Sequence, residues 1–306
     1  FLDRALVRLD YMREHPVFNS WSSVTASPNF GKIQEEGQSA GNFILNKGSS
    51  ETTCEAIKIN DRFKWWFIGF TEGDGSFILG KDGYLEFKVT QSSVDAQILF
   101  YIKKELGFGS VSVQDKINKT HHYRVCSARD KKNILKLIEI FNGNILTKHK
   151  NNQFKLWVEG FNSIYNMDIK YVEPTHKVSL DNDWLSGFTD AEGCFTSSVL
   201  TSKQGKNTVT VRYVISQKDD IEFSKDLAIL IHGYITHVKN YNGYNTVVNF
   251  SKLGTILNYL KHNPLKTKKL ISYNRWLKVY RLVKNKEHLT SEGLMLIRTL
   301  VKSINK

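Results

Sequence analysis

Apolar and polar residues alternate along two short stretches of the chain, LEFKVTQ at 85–91 and VRYVISQ at 211–217. This period of two predicts half-buried β-strands. Two longer stretches, 93–107 and 219–233, carry apolar residues every three or four positions and end at a glycine. They predict amphipathic helices. Strands and helices interleaved in this way indicate an α+β fold.

The pattern occurs twice. WWFIGFTEGDGSF at 65–77 and DWLSGFTDAEGCF at 183–195 share six residues at a constant separation of 118, the separation of Trp66 from Trp184. The strand stretches are 126 apart, so the second copy carries eight extra residues between its first two strands. The stretches ending at Trp157 and Trp276 also match, at a separation of 119. The sequence therefore predicts tandem α-β-β-α-β-β-α units related by pseudo-twofold symmetry.

The repeat divides the chain into four parts. We expect a leader at 1–55, a first half at 56–165, a linker at 166–183 and a second half at 184–306. The leader is rich in Ser, Gly and Asn after a short amphipathic start. It is interpreted either as a tail that packs on the body or as a DNA-contacting or regulatory arm.

Each motif copy predicts a short apolar helix with a stripe of small residues. Gly69 and Gly73 are four apart, as are Gly187 and Ala191 in the second copy, and positions i and i+4 share a helix face. Two such helices can approach backbone to backbone, which makes the motif a seam between the halves. Gly75 and Gly193 are predicted to end these helices in the left-handed conformation.

The same motifs place acids at the helix ends. Asp74 and Glu192 are the last side chains before the terminating glycines, where the helix dipole is negative and a further negative charge is unfavourable. A cation would compensate, and oxygen ligands suit Mg²⁺. Solvated turn residues are the alternative, which the matched duplication disfavours. Glu72 and Asp190 are expected to accept hydrogen bonds across the seam.

The composition of the chain indicates which class of partner it binds. The formal charge is +13 and the pI about 9.4, which favours a polyanion such as nucleic acid. Three cysteines, Cys54, Cys126 and Cys194, lack CxxC spacing, so neither a disulfide framework nor a zinc ribbon is predicted. No apolar run has transmembrane length and residues 1–20 lack a secretory core, so we expect a soluble protein without a membrane partner.

FIGFTEGDGSF and LSGFTDAEGCF resemble the two motif copies of single-chain, double-motif LAGLIDADG homing endonucleases of the organelle intron-encoded type. The resemblance runs from about Trp65 to the C-terminus. It implies a monomer whose two antiparallel sheets form a saddle on the DNA major groove. It also implies metal-dependent hydrolysis of one phosphodiester in each strand of a long asymmetric target, leaving short 3′ overhangs, for intron homing in mitochondria.

The resemblance also implies site residues. Asp74 and Glu192 match the metal-binding acids, with the carbonyls of Gly73 and Ala191 as further ligands for Mg²⁺, or for Mn²⁺ or Ca²⁺ in the same sites. The catalytic polar residues are Gln91 and Gln217. Lys148 matches the basic residue of the first half; in the second half Thr267 falls at that place with Lys266 and Lys268 adjoining, and Lys268 is taken as the candidate.

Strand alternation separates the two faces of each sheet. Leu85, Phe87 and Val89 are predicted to face the core, as are Val211, Tyr213 and Ile215. The opposite, polar face is the predicted DNA-binding face, on which Arg and Lys can contact guanine, and Gln and Asn adenine. Its members are Lys81, Tyr84, Glu86, Lys88, Ser112, Gln114, Lys116, His122, Arg124, Thr196, Ser198, Ser202, Lys203, Thr210, Arg212, Lys239 and Asn245.

Two other functions use the same scaffold. An RNA-binding intron maturase, with intron RNA as its partner, would use the basic surface without needing the acids. A DNA-binding regulator would have an inactive seam. The presence of both Asp74 and Glu192 favours the nuclease, although nuclease and maturase activities could coexist.

Overall fold

The computed structural model describes residues 59–128 and 130–305. The predicted leader, 1–55, and Cys54 lie outside the described residues. None of the described helices combines the length and apolarity needed to cross a lipid bilayer.

Within its described residues, the first half consists of four α-helices and one four-stranded sheet. In chain order these are α1 (Asp61–Asp74), β1 (Gly75–Leu79), β2 (Leu85–Ser92), α2 (Gln97–Leu106), β3 (Ser110–Asp115), β4 (Thr120–Cys126), α3 (Lys131–Phe141) and α4 (Lys148–Tyr165). The sheet is antiparallel, in the order β1-β2-β4-β3.

The second half repeats this order and adds a helix. Its elements are α5 (Trp184–Glu192), β5 (Gly193–Thr201), β6 (Asn207–Lys218), α6 (Ile221–Leu230), β7 (Tyr234–Val238), β8 (Gly243–Asn249), α7 (Gly254–His262), α8 (Lys269–Lys284) and α9 (Ser291–Val301). Its antiparallel sheet has the equivalent order, β5-β6-β8-β7. The predicted fold class is confirmed, and each half continues into a helix, α4 or α8, beyond the predicted unit.

The core lies between each sheet and its helices. Leu85, Phe87 and Val89 on β2 are fully buried, and Val211, Tyr213 and Ile215 on β6 are buried too, as the alternation predicts. Aromatic rings fill the space behind the sheets: Phe77 packs against Phe87, Phe141, Phe154 and Trp157, and Phe195 packs against Tyr213, Tyr273 and Trp276.

The motif helices α1 and α5 pack in parallel, backbone against backbone. A β-carbon added to Gly69 would lie 2.0 Å from the backbone oxygen of Trp184, and one added to Gly187 would lie 1.9 Å from that of Trp66. Only glycine fits at such a distance. The start of α5 is also joined to α1, because Arg62 forms an ion pair with the buried Asp183 at 3.0 Å.

The prediction for the helix-ending glycines is wrong. Gly75 has φ −82° and ψ 162°, and Gly193 has φ −70° and ψ 148°, so both are extended rather than left-handed. Each is the first residue of a strand, and the chain passes from helix to sheet without a loop. Glycine is needed for space, since an added β-carbon would lie 2.5 Å from Thr71 Cγ2 at Gly75 and 2.6 Å from Thr189 Cγ2 at Gly193.

The eight extra residues of the second copy lengthen its first hairpin. The loop between the paired ends Leu79 and Leu85 has the same length as the loop between Thr201 and Asn207. The insertion is therefore divided between the strands, as 198–201 on β5 and 207–210 on β6. Helix α9 braces the longer hairpin, because Arg298 Nη2 donates to Thr201 Oγ1 at 3.1 Å and to Asn207 Oδ1 at 2.9 Å.

Candidate functional site

The two motif acids lie where the parallel helices end. Asp74 and Glu192 are the last residues of α1 and α5 and are both half-buried. Glu192 lies close to the other helix, since a β-carbon on Gly73 would be 3.0 Å from Glu192 Cγ and 3.4 Å from its Oε1. The seam therefore brings one acid from each half to a common place, as predicted from the sequence.

Gln91 joins this site through a direct contact. It lies on β2, two residues beyond Val89, which pairs with Gly75, and its Nε2 donates to Asp74 Oδ2 at 2.6 Å. Gln217 holds the matching place on β6, two residues beyond Ile215, which pairs with Gly193. The site residues Asp74, Glu192, Gln91 and Gln217 thus follow the pseudo-twofold arrangement.

The lysines at the seam are not Lys148 and Lys268, the two predicted from the sequence. The side chain of Lys148 is exposed at the start of α4, and that of Lys268 is exposed just before α8. Lys150 is instead buried, and its Nζ donates to the carbonyl of Gly75, next to Asp74. In the second half Lys269 Nζ donates to the carbonyl of Ala191 at 3.1 Å.

A sequence signal for these lysines was present. At the separation of 119 that aligns Trp157 with Trp276, Lys150 aligns with Lys269, whereas Lys148 aligns with Thr267. Lys266, the other second-half candidate, lies with its Nζ 5.6 Å from the centre of the Trp66 ring, and burial lowers its pKa.

The two lysines are not equivalent in their contacts. Lys150 binds the carbonyl of the residue after Asp74, and Lys269 binds the carbonyl of the residue before Glu192. This second contact occupies one of the carbonyls predicted as a metal ligand, that of Ala191.

Glu72 and Asp190 make reciprocal hydrogen bonds across the seam, as predicted. Trp184 Nε1 donates to Glu72 Oε1 at 2.9 Å, and Trp66 Nε1 donates to Asp190 Oδ2 at 2.9 Å. Both carboxyl groups are buried, and burial raises the pKa of each. These acids stabilise the contact between the halves.

The same two acids also bind the chain that leads into the lysine-bearing helices. Glu72 accepts from the backbone N–H of Leu146 at 3.0 Å and of Thr147 at 2.6 Å. Asp190 accepts from those of Lys266 at 2.8 Å and Thr267 at 3.2 Å. The acids therefore connect the seam to α4 and α8.

On the first sheet, most of the predicted DNA-binding residues do share the face opposite the core. Lys88 pairs with Ser76 on one side and with Arg124 on the other. Arg124 forms an ion pair with Glu86 at 2.8 Å, and Ser112 Oγ contacts His122 Nε2 at 3.0 Å. Burial, together with the charges of Lys88 and Arg124, lowers the pKa of His122.

Gln114 lies two residues beyond Ser112 on β3 and therefore shares its face, although the pairing of β3 with β4 shifts register between Val113 and Asp115. Thr90 Oγ1 donates to Gln114 Oε1 at 2.8 Å. Three further residues lie in turns, Lys81 and Tyr84 between β1 and β2, and Lys116 between β3 and β4.

On the second sheet the face opposite the core carries polar residues on β5, β6 and β8. Arg212 pairs with Thr196 and with Asn249, and its buried Nε makes no hydrogen bond within the described part of the chain. Two other predicted residues make contacts on this sheet: Ser198 contacts Thr210, and Asn245 accepts from Ser216. The remaining ones lie outside the strands, Ser202 and Lys203 in the hairpin loop and Lys239 at the start of a short 3-10 turn. Sequence alternation missed Ser76, Thr90, Ser216 and Asn249, which share these faces through register.

The donor set suits a hard divalent cation. Two carboxylates from different helices meet beside backbone carbonyls, and oxygen ligands of this kind match Mg²⁺ or Ca²⁺. Within the described residues no group of three or more His, Cys, Asp or Glu side chains could hold a metal ion.

The chain matches the family of LAGLIDADG endonucleases over residues 67–161 and 185–280. It is 52% identical to "Probable intron-encoded endonuclease 4" of Neurospora crassa over the whole chain and 55% of that protein, so it spans about half of that relative's length. It is also 30% identical to the "Uncharacterized cox1 intron-2 37.2 kDa protein" of Schizosaccharomyces pombe, over 85% of the chain and 82% of that protein.

Solved structures support the fold. The I-LtrWI LAGLIDADG homing endonuclease bound to target DNA aligns with a TM-score of 0.68 at 21% identity, over 80% of this chain and 98% of that one. I-SmaMI bound to uncleaved DNA with calcium ions aligns with a TM-score of 0.66 at 23% identity, over 79% of this chain and 99% of that one.

Proposed function

Since the chain belongs to the LAGLIDADG endonuclease family, we propose that it is a site-specific endonuclease that binds double-stranded DNA as a monomer. It hydrolyses one phosphodiester in each strand of a long asymmetric target, with a divalent metal, and leaves short 3′ overhangs. Its proposed biological role is intron homing and its proposed location is the mitochondrial matrix; in support, one relative is named as an intron-encoded endonuclease and another after an intron of cox1.

The observation that carries the proposal is the pair of acids at the seam. Asp74 and Glu192 come from different halves and end two helices that pack backbone to backbone. A lysine side chain lies beside each of them, Lys150 in the first half and Lys269 in the second. One acid and one lysine from each half suit a reaction that must be carried out once on each strand.

The acids would hold the metal, Mg²⁺ in the cell, with the carbonyl of Gly73 as a further ligand. When bound, the metal would supply positive charge for the phosphoryl and leaving oxygens of the transition state.

The remaining site residues would orient Asp74 and the attacking water and would bind the phosphate. Gln91 fixes the rotamer of Asp74 through its short hydrogen bond, and Gln217 is proposed for the same place in the second half. Lys150 and Lys269 are held by backbone carbonyls, from where their ammonium groups would orient the attacking water and favour binding of the phosphate.

The polar sheet faces are the proposed DNA surface. Lys88, Arg124 and Arg212 lie on them, and the chain has an excess of 13 positive charges. The solved relatives I-LtrWI and I-SmaMI were determined with target DNA, which supports the same partner here.

The maturase interpretation is less favoured. The chain is 30% identical to "Intron-encoded RNA maturase bI4" of Saccharomyces cerevisiae, but over only 69% of the chain and 31% of that protein. A maturase has no need of the two acids at the seam, and here both are present.

A selection for cleaved sites from a randomised DNA library in Mg²⁺ tests the proposal and yields the target. On that target, Asp74→Asn or Glu192→Gln should abolish double-strand cleavage while binding is nearly unchanged, because a metal-binding charge is lost and the phosphate contacts are kept. Asp226→Asn is the control, since among the described residues Asp226 forms an ion pair with Lys177 and lies on α6, apart from the motif acids. Cleavage by both motif mutants would contradict the assignment.

A further inference from the structure

The start of each lysine-bearing helix is bound from the opposite half of the molecule. The backbone N–H of Lys148, the first residue of α4, donates to Asp220 Oδ2 at 2.8 Å. The backbone N–H of Lys268, just before α8, donates to Asp95 at 3.1 and 3.3 Å to its two oxygens. Asp220 belongs to the second repeat and Asp95 to the first.

This arrangement completes a repeated pattern of three consecutive amides. In each half the first two amides donate to the acid of the motif helix, Glu72 or Asp190. The third donates to an aspartate of the other half. Because the first N–H groups of a helix have no partner within the helix, such acceptors fix its first turn.

The first turn of α4 carries the site lysine. Lys150 follows Lys148 by two residues, and its side chain is buried against the carbonyl of Gly75. A buried ammonium group has few other positions in which it can be hydrogen-bonded. The position of the Lys150 ammonium group therefore depends on where α4 begins. Asp220 is itself buried and held in place, because it also accepts from Phe223 N at 3.3 Å as the N-cap of α6.

We infer that Asp220 is a positioning residue for the lysine of the opposite half, and that Asp95 does the same, more weakly, for Lys269. Cleavage of each DNA strand would then depend on a lysine from one half of the protein and on an aspartate from the opposite half, which positions that lysine. The second link is the weaker one because its hydrogen bonds are longer and lie in an exposed place. The inference rests on the proposed nuclease function.

The test measures the cleavage rate of each strand separately, on the selected target with a different label on each strand. Lys150→Met identifies which strand depends on Lys150. Lys148→Pro removes the N–H that Asp220 accepts, and proline suits the first position of a helix. Thr147 before it is already extended, with φ −74° and ψ 129°, as a residue before proline must be.

Lys148→Ala is the matched control, since it removes the same side chain and keeps the N–H. Relative to Lys148→Ala, Lys148→Pro should slow the Lys150-dependent strand about 10- to 100-fold more than the other strand, because a misplacement of about 1 Å can cost about 100-fold. An unchanged strand ratio, or a change in favour of the other strand, would overturn the inference.

A second variant decides the matter if Lys148→Pro does not fold. Asp220→Asn keeps a good N-cap for α6 but removes the charge that Lys148 N–H contacts, and it should slow the same strand. Asp130→Asn is its control, because Asp130 caps α3, which carries no site lysine. Equal slowing of both strands would mean a structural role only, and a wild-type protein that cuts neither strand would instead refute the proposed function.

Discussion

Gly69 lies against the backbone carbonyl of Trp184, so closely that a β-carbon on Gly69 would be 2.0 Å from that oxygen. The pair Gly187 and Trp66 repeats the contact at 1.9 Å. Backbone atoms cannot move aside as a flexible side chain can, so the two motif helices must separate to admit a methyl group.

Gly69→Ala should therefore lower the free energy of unfolding by about 3 kcal/mol, at the upper end of the usual cost of overpacking. Urea unfolding followed by circular dichroism measures this. Gly254→Ala is the control: the added methyl meets no atom within 4 Å at the start of α7, and stability should be unchanged or slightly raised. A neutral effect of Gly69→Ala would show that the seam is looser than described.

Glu72→Gln should change the dependence of stability on pH. Burial raises the pKa of Glu72 above the ordinary value of 4.5, so the folded state binds more protons than the unfolded chain over the interval between the two values. The free energy of unfolding then falls as pH rises through that interval. Glutamine does not titrate, so the mutant should lose stability less steeply over the same interval.

At neutral pH the same mutant should be less stable by about 1–3 kcal/mol, because its amide group would face an N–H donor such as that of Thr147. Asp190→Asn is the mirror variant, with a pKa raised by burial in the same way. Urea titrations between pH 4 and pH 8 measure both the change of the unfolding free energy with pH and the constant loss of stability caused by the mutation. Parallel stability curves for mutant and wild type would exclude a raised pKa.

DNA binding should weaken steeply with salt. A protein that replaces the counterions of several phosphates loses affinity linearly on a log-log scale, and six to ten contacts correspond to a loss of about 10³- to 10⁵-fold between 50 and 200 mM salt. The charge of +13 is large enough for such a number of contacts. Fluorescence anisotropy with the selected target measures the slope, and a nearly flat dependence would favour a protein or small-molecule partner.

Lys88→Ala and Arg212→Ala should each relax base preference in a different half of the target. Both side chains lie on the polar sheet faces, and the buried Nε of Arg212 makes no hydrogen bond within the described residues. Loss of a bidentate contact to a base costs about 1–3 kcal/mol, and the requirement for metal should be unchanged. Cleavage profiles over all single-base variants of the target decide this, since even losses on every variant would indicate phosphate contacts instead.

The repeat was sufficient to predict most of the fold. The duplication predicted the order of helices and strands in each half. The spacing of Gly69 and Gly73 indicated the seam, because helices whose backbones are in contact need small residues at the contact. The conformation of Gly75 was not predictable in this way, since a glycine chosen for lack of space and one chosen for positive φ look the same in a sequence.

The site lysines show a different limit. Lys148 and Lys150 are two residues apart at the start of one helix, where a difference of two positions rotates a side chain from the seam to solvent. Only the structure fixes where α4 begins, through the amides bound by Glu72 and Asp220. Asp220 itself lies 72 residues from Lys148 in sequence, and no local pattern connects the two.

The longer hairpin of the second half has a consequence for the shape of the target. Four additional residues on each strand, at about 3.3 Å per residue, extend the ribbon by about 13 Å, which corresponds to about four base-pair steps of DNA. Arg298 binds the tip of this ribbon at Thr201 and Asn207, which restrains the extension. We therefore expect a lopsided footprint, whose centre is displaced toward the second half from the midpoint between the two cuts.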